Sequence, residues 1–232
     1  VGDVDLWDTE PFDPVVKEGR LYGRGSGDNK SGVVVHYNVV KKLLEDLPVN
    51  IRIFIEGEEE IGSPTMSDFI EQNREALEAD VIVIADSANV KIGVPTITTT
   101  LRGLVDGFIE VNQPMRPVHS GMGGGIVPDA FMVLSKIIAS FHDDKGNLQI
   151  EGLTPTDMNV TELDESYTKK MLGSEEINLF DAESISKRLW LEPALDVLAI
   201  DAPPVKDAVN LVIPKASAKI SLRLPPTEDP EH

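Results

Sequence analysis

Three consecutive glutamates, Glu58, Glu59 and Glu60, follow directly on the apolar run NIRIFIEG and close on Gly62 and Ser63. Like charges crowded at the end of an apolar segment repel one another unless a cation or a proton intervenes. Two further acids hold comparable places: Asp28 follows the turn GRGSG, and Asp86 ends DVIVIAD. In an α/β sheet, groups beyond the carboxyl ends of the strands converge on one crevice. Carboxylates that converge there can hold divalent metal ions, and an adjacent free carboxylate can take a proton from water. Taken singly, each acid has a plainer reading. Acids at strand ends are common, Asp28 could simply cap a helix, and a glutamate triplet is usually a solvated loop.

The elements that must position these acids follow from periodicity and punctuation. Residues 1–20 are rich in Pro, Asp and Gly and read as a loop, and RLYGRGSGDNKSG as a glycine-punctuated turn. Apolar residues recur at helical spacing from Ser31 to about Asp46, with lysines late and Pro48 beyond the end. VNIRIFIEG (49–57) and DVIVIAD (80–86) read as strands, the second wholly apolar as in a sheet covered on both faces. Between them a helix is expected, with Ser63 as N-cap and Pro64 at its first position. TITTTLRGLVDGFIEV (96–111) alternates like a half-exposed antiparallel strand, and HSGMGGGIVPD is a glycine-rich turn. The amphipathic helix DAFMVLSKIIASFHDD follows, then acidic sequence with helical patches at DESYTKKMLG and SISKRLW, and the strands ALDVLAIDA and AKISLRL.

The chain of 232 residues can bury one large core or two small ones, and 41% hydrophobic with 26% charged residues is ordinary globular composition. With 21 Lys+Arg against 40 Asp+Glu, the formal charge of −19 argues against nucleic acid and anionic membranes as partners. The absence of cysteine excludes disulfides and thiolate metal sites and suits a reducing, cytoplasmic setting. No apolar run approaches the ~20 residues of a membrane span. Neither terminus carries a start or stop signal, and the expectation is a piece cut from a longer polypeptide.

In order, LYGRGSGDNKSG, EGEEEIGS, VIVIAD and HSGMGGG resemble the metallopeptidase family that includes carnosinase, aminoacylase, glutamate carboxypeptidase and succinyl-diaminopimelate desuccinylase. WDTEPFDP resembles the segment before the first of these motifs, and AVNLVIPKASAKISLRLPP the end of that family's lid, so the resemblance spans essentially the whole chain. The resemblance implies an α/β catalytic domain over residues 1–100, part of a mixed-sheet aminopeptidase-like fold incomplete at both ends. It implies an α+β two-layer sandwich over 101–232, serving as lid and dimerisation domain. It also implies a pair of divalent metal ions, zinc with manganese or cobalt as alternatives. Asp28 would bridge them, Glu60 and Asp86 would each bind one, and Glu59 would be the general base. Glu58 would be a bystander. From the lid, His119 would reach a partner subunit's site and stabilise the oxyanion, while Asn210 and Arg223 would contact substrate, Arg223 through a carboxylate. For His119 the alternative is a turn histidine with a locally satisfied ring, and for Arg223 a solvent-facing strand arginine.

Two metal histidines of that family have no counterpart in these residues, one from a His-x-Asp motif and one from a segment after the lid, and His232 is not expected to substitute. An all-oxygen set of Asp28, Glu60 and Asp86 holds zinc less tightly than a mixed set, so metal is expected to be partial or absent and these residues alone inactive. The expected activity of the parent enzyme is metal-dependent amide hydrolysis in dipeptides or small peptides. The long acidic insertion near 150–190 resembles the dipeptidase members. The alternatives are an N-acyl amino acid deacylase or desuccinylase and a non-catalytic dimerisation module.

Overall fold

The computed structural model describes residues 2–87, 89–180 and 182–230. The chain divides into two compact units, Val1–Asn89 and Val90–His232.

In the first unit, part of the expected opening loop is a hairpin. β1 (Val15–Lys17) pairs antiparallel with β2 (Arg20–Tyr22). The two linking residues, Glu18 and Gly19, have φ of 54° and 76°. A two-residue hairpin loop of this type needs positive φ at both positions, which glycine adopts without steric cost. α1 (Lys30–Leu43) is capped by Asn29, whose Oδ1 accepts the Gly32 N–H at 3.1 Å. Asp28 therefore does not cap the helix; it precedes the cap by one residue. Gly32 is buried, and a Cβ there would lie 2.3 Å from the Ala85 carbonyl oxygen, so the first turn of α1 presses on the backbone beside Asp86.

The two strands expected at 49–57 and 80–86 do not form. Neither run has a ladder partner among the described residues, and Ile82 is 80% exposed. A strand exists only by pairing, so β-branched apolar sequence without a neighbouring strand leaves its side chains in solvent. The helix expected with Ser63 as cap and Pro64 as first residue starts two residues later. Gly62 and Ser63 have φ of 82° and 50°, which turns the chain before α2 (Met66–Gln72), and a break at Asn73 separates α3 (Arg74–Leu77).

The second unit runs β3 (Gly103–Asn112), β4 (Val118–His119), α4 (Ser120–Gly123), α5 (Ala130–Ser140), α6 (Glu165–Met171), α7 (Ile185–Trp190), β5 (Ala194–Asp201), β6 (Leu211–Val212) and β7 (Lys215–Leu224). β7 lies between β3 and β5, antiparallel to both, and β4 pairs with β6. The long strand begins at Gly103, not Thr96. Gly103 pairs with Leu224, and Pro225 and Pro226 follow, which cannot donate ladder hydrogen bonds. A bulge in β5 absorbs Leu198, after which Ala199, Ile200 and Asp201 face Lys219, Ala218 and Ser217.

One face of this sheet is apolar and lies under α5. Ala130 and Leu134 of the helix and Ala216 and Ala218 of β7 form the buried cluster, with Ile109, Val111, Phe131 and Ile138 against it. Asp129 fixes the helix to the sheet: one oxygen accepts from Met132 N at the N-terminus, the other from Ile213 N, both at 3.1 Å. On the other face, Lys219 pairs with Asp106 at 3.3 Å and Lys215 with Glu110 at 2.9 Å. Among the described residues, no helix is long and apolar enough to cross a membrane.

The acidic stretch is held by local caps. Glu162 accepts from the Ser184 hydroxyl and from Ile185 N at 3.0 Å, and the buried Ser186 hydroxyl accepts from Leu163 N at 2.7 Å. The Ser184 hydrogen bond holds the Glu162 carboxyl below the usual range against the opposing effect of desolvation, helped by the Ser186 and Ile185 amides and the Lys187 charge. A depressed carboxyl stabilises the fold above its unfolded-state pKa of about 4.3, and that stabilisation is lost as pH falls through the folded value. The melting-temperature gap between wild type and Glu162→Gln should therefore be largest near neutrality and close below about pH 4. A gap unchanged from pH 7 to pH 3 would show that the carboxylate charge plays no part.

Candidate functional site

Glu59, Glu60 and Ile61 form a single 3-10 turn that begins after Glu58 and closes at Gly62. Adjacent side chains on such a turn point in different directions, and the three glutamates diverge accordingly. The Glu58 carboxylate accepts from Thr65 Oγ1 at 2.6 Å and from Thr65 N at 3.3 Å, just ahead of α2. Its work is structural, in place of the cap expected from Ser63. Glu60 pairs with Arg24 at 3.3 Å, with both side chains about half exposed. Glu59 is exposed, and its carboxylate has no hydrogen bond or ion pair among the described residues. It is the member of the triplet that is open to a proton.

Two contacts bring the acid-bearing segments toward one another. Arg24, in the turn that leads to Asp28, reaches Glu60, and Gly32 at the start of α1 abuts Ala85, the neighbour of Asp86. Asp28 and Asp86 are exposed and make no hydrogen bond or ion pair among the described residues. Nevertheless, no group of three or more His, Asp or Glu side chains among the described residues is gathered closely enough to hold a metal ion. The donors expected to do so are oxygens only, and one of them is engaged by a guanidinium. Asp28, Glu60 and Asp86 are carboxylates of the kind that bind divalent ions, but by themselves they do not make up the donor set of a metal pair. His232 lies outside the described residues.

Sequence reasoning missed two participants here. Arg24 supplies the positive charge that the glutamate cluster called for, and the signal was the arginine inside GRGSG. Glu56, two residues before the triplet, has a carboxylate oxygen that is buried without a hydrogen-bond partner.

His119 and Asn210 are brought together. β4 pairs His119 with Leu211, and Ser120 N donates to the Asn210 carbonyl at 2.9 Å. The His119 Nδ1 accepts from Gly121 N at 3.0 Å, so in the neutral ring the proton is on Nε2, which is left as a donor. One nitrogen is satisfied locally, as a turn histidine's would be, while the other remains available to a ligand. The glycines of HSGMGGG have a steric reason: a Cβ at Gly123 would lie 2.5 Å from Val118, and one at Gly124 2.4 Å from the Ser120 carbonyl oxygen. Arg223 is exposed on the polar face of β7, opposite Leu104 and Ala194.

Over 228 residues the chain is 35% identical to the cysteinylglycine-S-conjugate dipeptidase of Corynebacterium striatum, covering 95% of this chain and 50% of that protein. Over 238 residues it is 33% identical to the human Beta-Ala-His dipeptidase, covering 96% and 47%. The chain thus spans about half the length of the curated relatives it matches. Among solved structures, the M20 family metallo-carboxypeptidase Sso-CP2 of Sulfolobus solfataricus superposes with a TM-score of 0.78 at 29% identity, covering 100% of this chain and 56% of that one. The model of peptidase family M20/M25/M40 matches residues 1–225, all four motifs included, and the chain belongs to that family.

Proposed function

We propose that this chain carries the acidic and substrate-contacting residues of a metal-dependent dipeptidase, acting in the cytoplasm on dipeptides or small peptides. The observation that carries this reading is the uncompensated Glu59 carboxylate, set beside an arginine-paired Glu60 on one tight turn. Relatives whose names specify dipeptidase activity support the substrate class. In this reading Glu59 takes a proton from the attacking water, and His119, reaching the partner subunit's site, donates its Nε2–H to the oxygen that becomes negative as the amide is attacked there. Asn210, next to His119, orients the substrate. Asp28, Glu60 and Asp86 are the carboxylates that would contribute to two divalent metal ions, zinc or else manganese or cobalt. Further ligands, the histidines implied by the family resemblance, would complete the site. When bound, the metal would supply Lewis-acid chemistry.

The division of labour extends to the domains. Residues 1–100 contribute to catalysis, and residues 101–232 form a lid that pairs with a second copy.

The test uses the full-length protein with divalent metal supplied. It offers Cys-Gly and β-Ala-His dipeptides against N-acetyl and N-succinyl amino acids. The expected result is kcat/KM at least tenfold higher for the dipeptides, with the protein sedimenting as a dimer. Preference for the acylated amino acids would replace this reading with a deacylase, and absence of turnover on the whole panel would replace it with a non-catalytic module. Sedimentation as monomer alone would remove the paired lid.

A further inference from the structure

Glu59 and Glu60 are adjacent and chemically identical, yet their carboxylates are held differently. Glu60 Oε2 lies 3.3 Å from a guanidinium nitrogen of Arg24, and Glu60 Oε1 has no hydrogen bond among the described residues. The Glu59 carboxylate has neither contact. Both partners of the ion pair stand on turns that backbone hydrogen bonds hold in place. Ile61 N and Ser63 N donate to the Glu58 carbonyl, each at 3.0 Å, and Gly62 N donates to that of Glu59 at 2.9 Å. On the other side, Arg24 N donates to the Pro11 carbonyl at 2.6 Å, and a Cβ at Gly23 would lie 3.2 Å from the Pro14 Cβ, so the 11–14 loop backs the arginine. The Gly25 carbonyl then accepts from Lys30 N at 2.9 Å, at the start of α1.

The two side chains are 42% and 57% exposed, so the pair adds little to stability. Its effect is geometric. A free glutamate must give up rotamer freedom before it can bind an ion, a cost worth about tenfold in affinity. A guanidinium on one oxygen meets part of that cost in advance and leaves the other oxygen as the donor. Carboxylates that bind metal ions are themselves commonly held by a hydrogen bond from a neighbouring side chain. The opposing effect is repulsion between the guanidinium and an incoming cation. Water around the half-exposed pair screens that repulsion and the Glu60 charge offsets it, so the gain in orientation prevails.

We propose that Arg24 is the positioning residue that divides the work of the two glutamates: it holds Glu60 by Oε2, so that Oε1 is the oxygen offered to a divalent ion, and it leaves Glu59 free to take a proton. The arginine touches no reacting atom and acts through Glu60 alone. The role of Glu59 rests on the dipeptidase reading; the hold on Glu60 and its effect on ion affinity are measured without any substrate.

The experiment measures equilibrium binding of zinc ion, by competition with a chromophoric chelator, on the chelator-treated full-length protein. The melting temperature without metal and the dipeptide turnover of the zinc-supplied wild type are recorded beside it. Arg24→Gln is expected to weaken zinc binding about tenfold, with the metal-free melting temperature within about 2 °C of wild type. Arg24→Lys, which keeps the charge without the planar fork, should be intermediate. Added to Glu60→Gln, the Arg24→Gln change should weaken binding almost no further, because the arginine acts through that carboxylate. Glu59→Gln should weaken binding far less than Glu60→Gln. Arg20→Gln removes an exposed cation of β2 that has no ion pair among the described residues, and it should leave the affinity as in wild type. Unchanged or tighter binding in Arg24→Gln would overturn the proposal, as would an equal loss in Arg20→Gln, an undiminished loss on top of Glu60→Gln, or equal losses in Glu59→Gln and Glu60→Gln. The expected pattern of affinities with no turnover by wild type would leave Arg24 in its role toward Glu60 and remove the dipeptidase reading. Dipeptide turnover by wild type with zinc affinity unchanged in Arg24→Gln would do the reverse.

Discussion

Glu59→Gln in the full-length protein is expected to lower kcat by about 10²–10⁴-fold, the range for loss of a positioned general base, with KM nearly unchanged. Glutamine keeps the shape of the side chain and the turn it stands on, but it cannot accept a proton at neutral pH. The neighbouring Glu58 supplies the control. Its carboxylate is occupied by Thr65 N and Oγ1 ahead of α2, so Glu58→Gln should alter thermal stability and leave kcat within a few-fold of wild type. Metal content measured in both variants separates loss of the base from loss of the site. A Glu59→Gln enzyme that keeps a tenth of wild-type kcat at equal metal content would remove Glu59 from the chemistry.

The largest expected stability effect is at Leu134. Its side chain is 1% exposed, and it meets Ala216 and Ala218 beneath α5. Truncating a buried leucine to alanine costs about 2–5 kcal/mol, since the small side chains opposite cannot close the space. For a unit of this size the melting temperature should fall by roughly 10 °C. Met132, two residues away on the same helix, is 60% exposed, and Met132→Ala should change stability by less than about 0.5 kcal/mol. Scanning calorimetry on the full-length protein checks both. Equal shifts at the two positions would mean that α5 does not present Leu134 to the sheet.

What was legible in the sequence depended on whether the pattern carried its own partner. α1 and α5 satisfy their backbone hydrogen bonds internally, so helical period, with the late lysines and Pro48 after α1, located them to within a few residues. β3 and β7 were also legible, because their alternation matches the face that α5 covers. The runs at 49–57 and 80–86 had equally strong β composition, yet ladder pairing is a property of two segments and cannot be read from one. The error at Ser63 is of another kind. Gly62 and Ser63 turn the chain with positive φ, and Glu58, seven residues before Thr65, does the capping, which nearest-neighbour rules do not consider. In the site, the acids were chosen by type and order, and the motifs led to the family. Arg24 escaped notice because its significance lies in a pairing across segments, with Glu60.

The extra residue at Leu198 makes the two borders of the sheet unequal. On a regular ladder Ile200 would sit opposite Ser217 and Asp201 opposite the buried Ala216; the insertion shifts the phase by one and keeps the acid in water. It also interrupts the outward row of amides and carbonyls along β5, and such an irregular rim is a poor template for another strand. β3 runs ten residues with no interruption. Any strand that joins this sheet, from another copy or from a misfolded neighbour, therefore finds its unbroken docking rail along Gly103–Asn112, and the opposite margin is insulated by a single leucine.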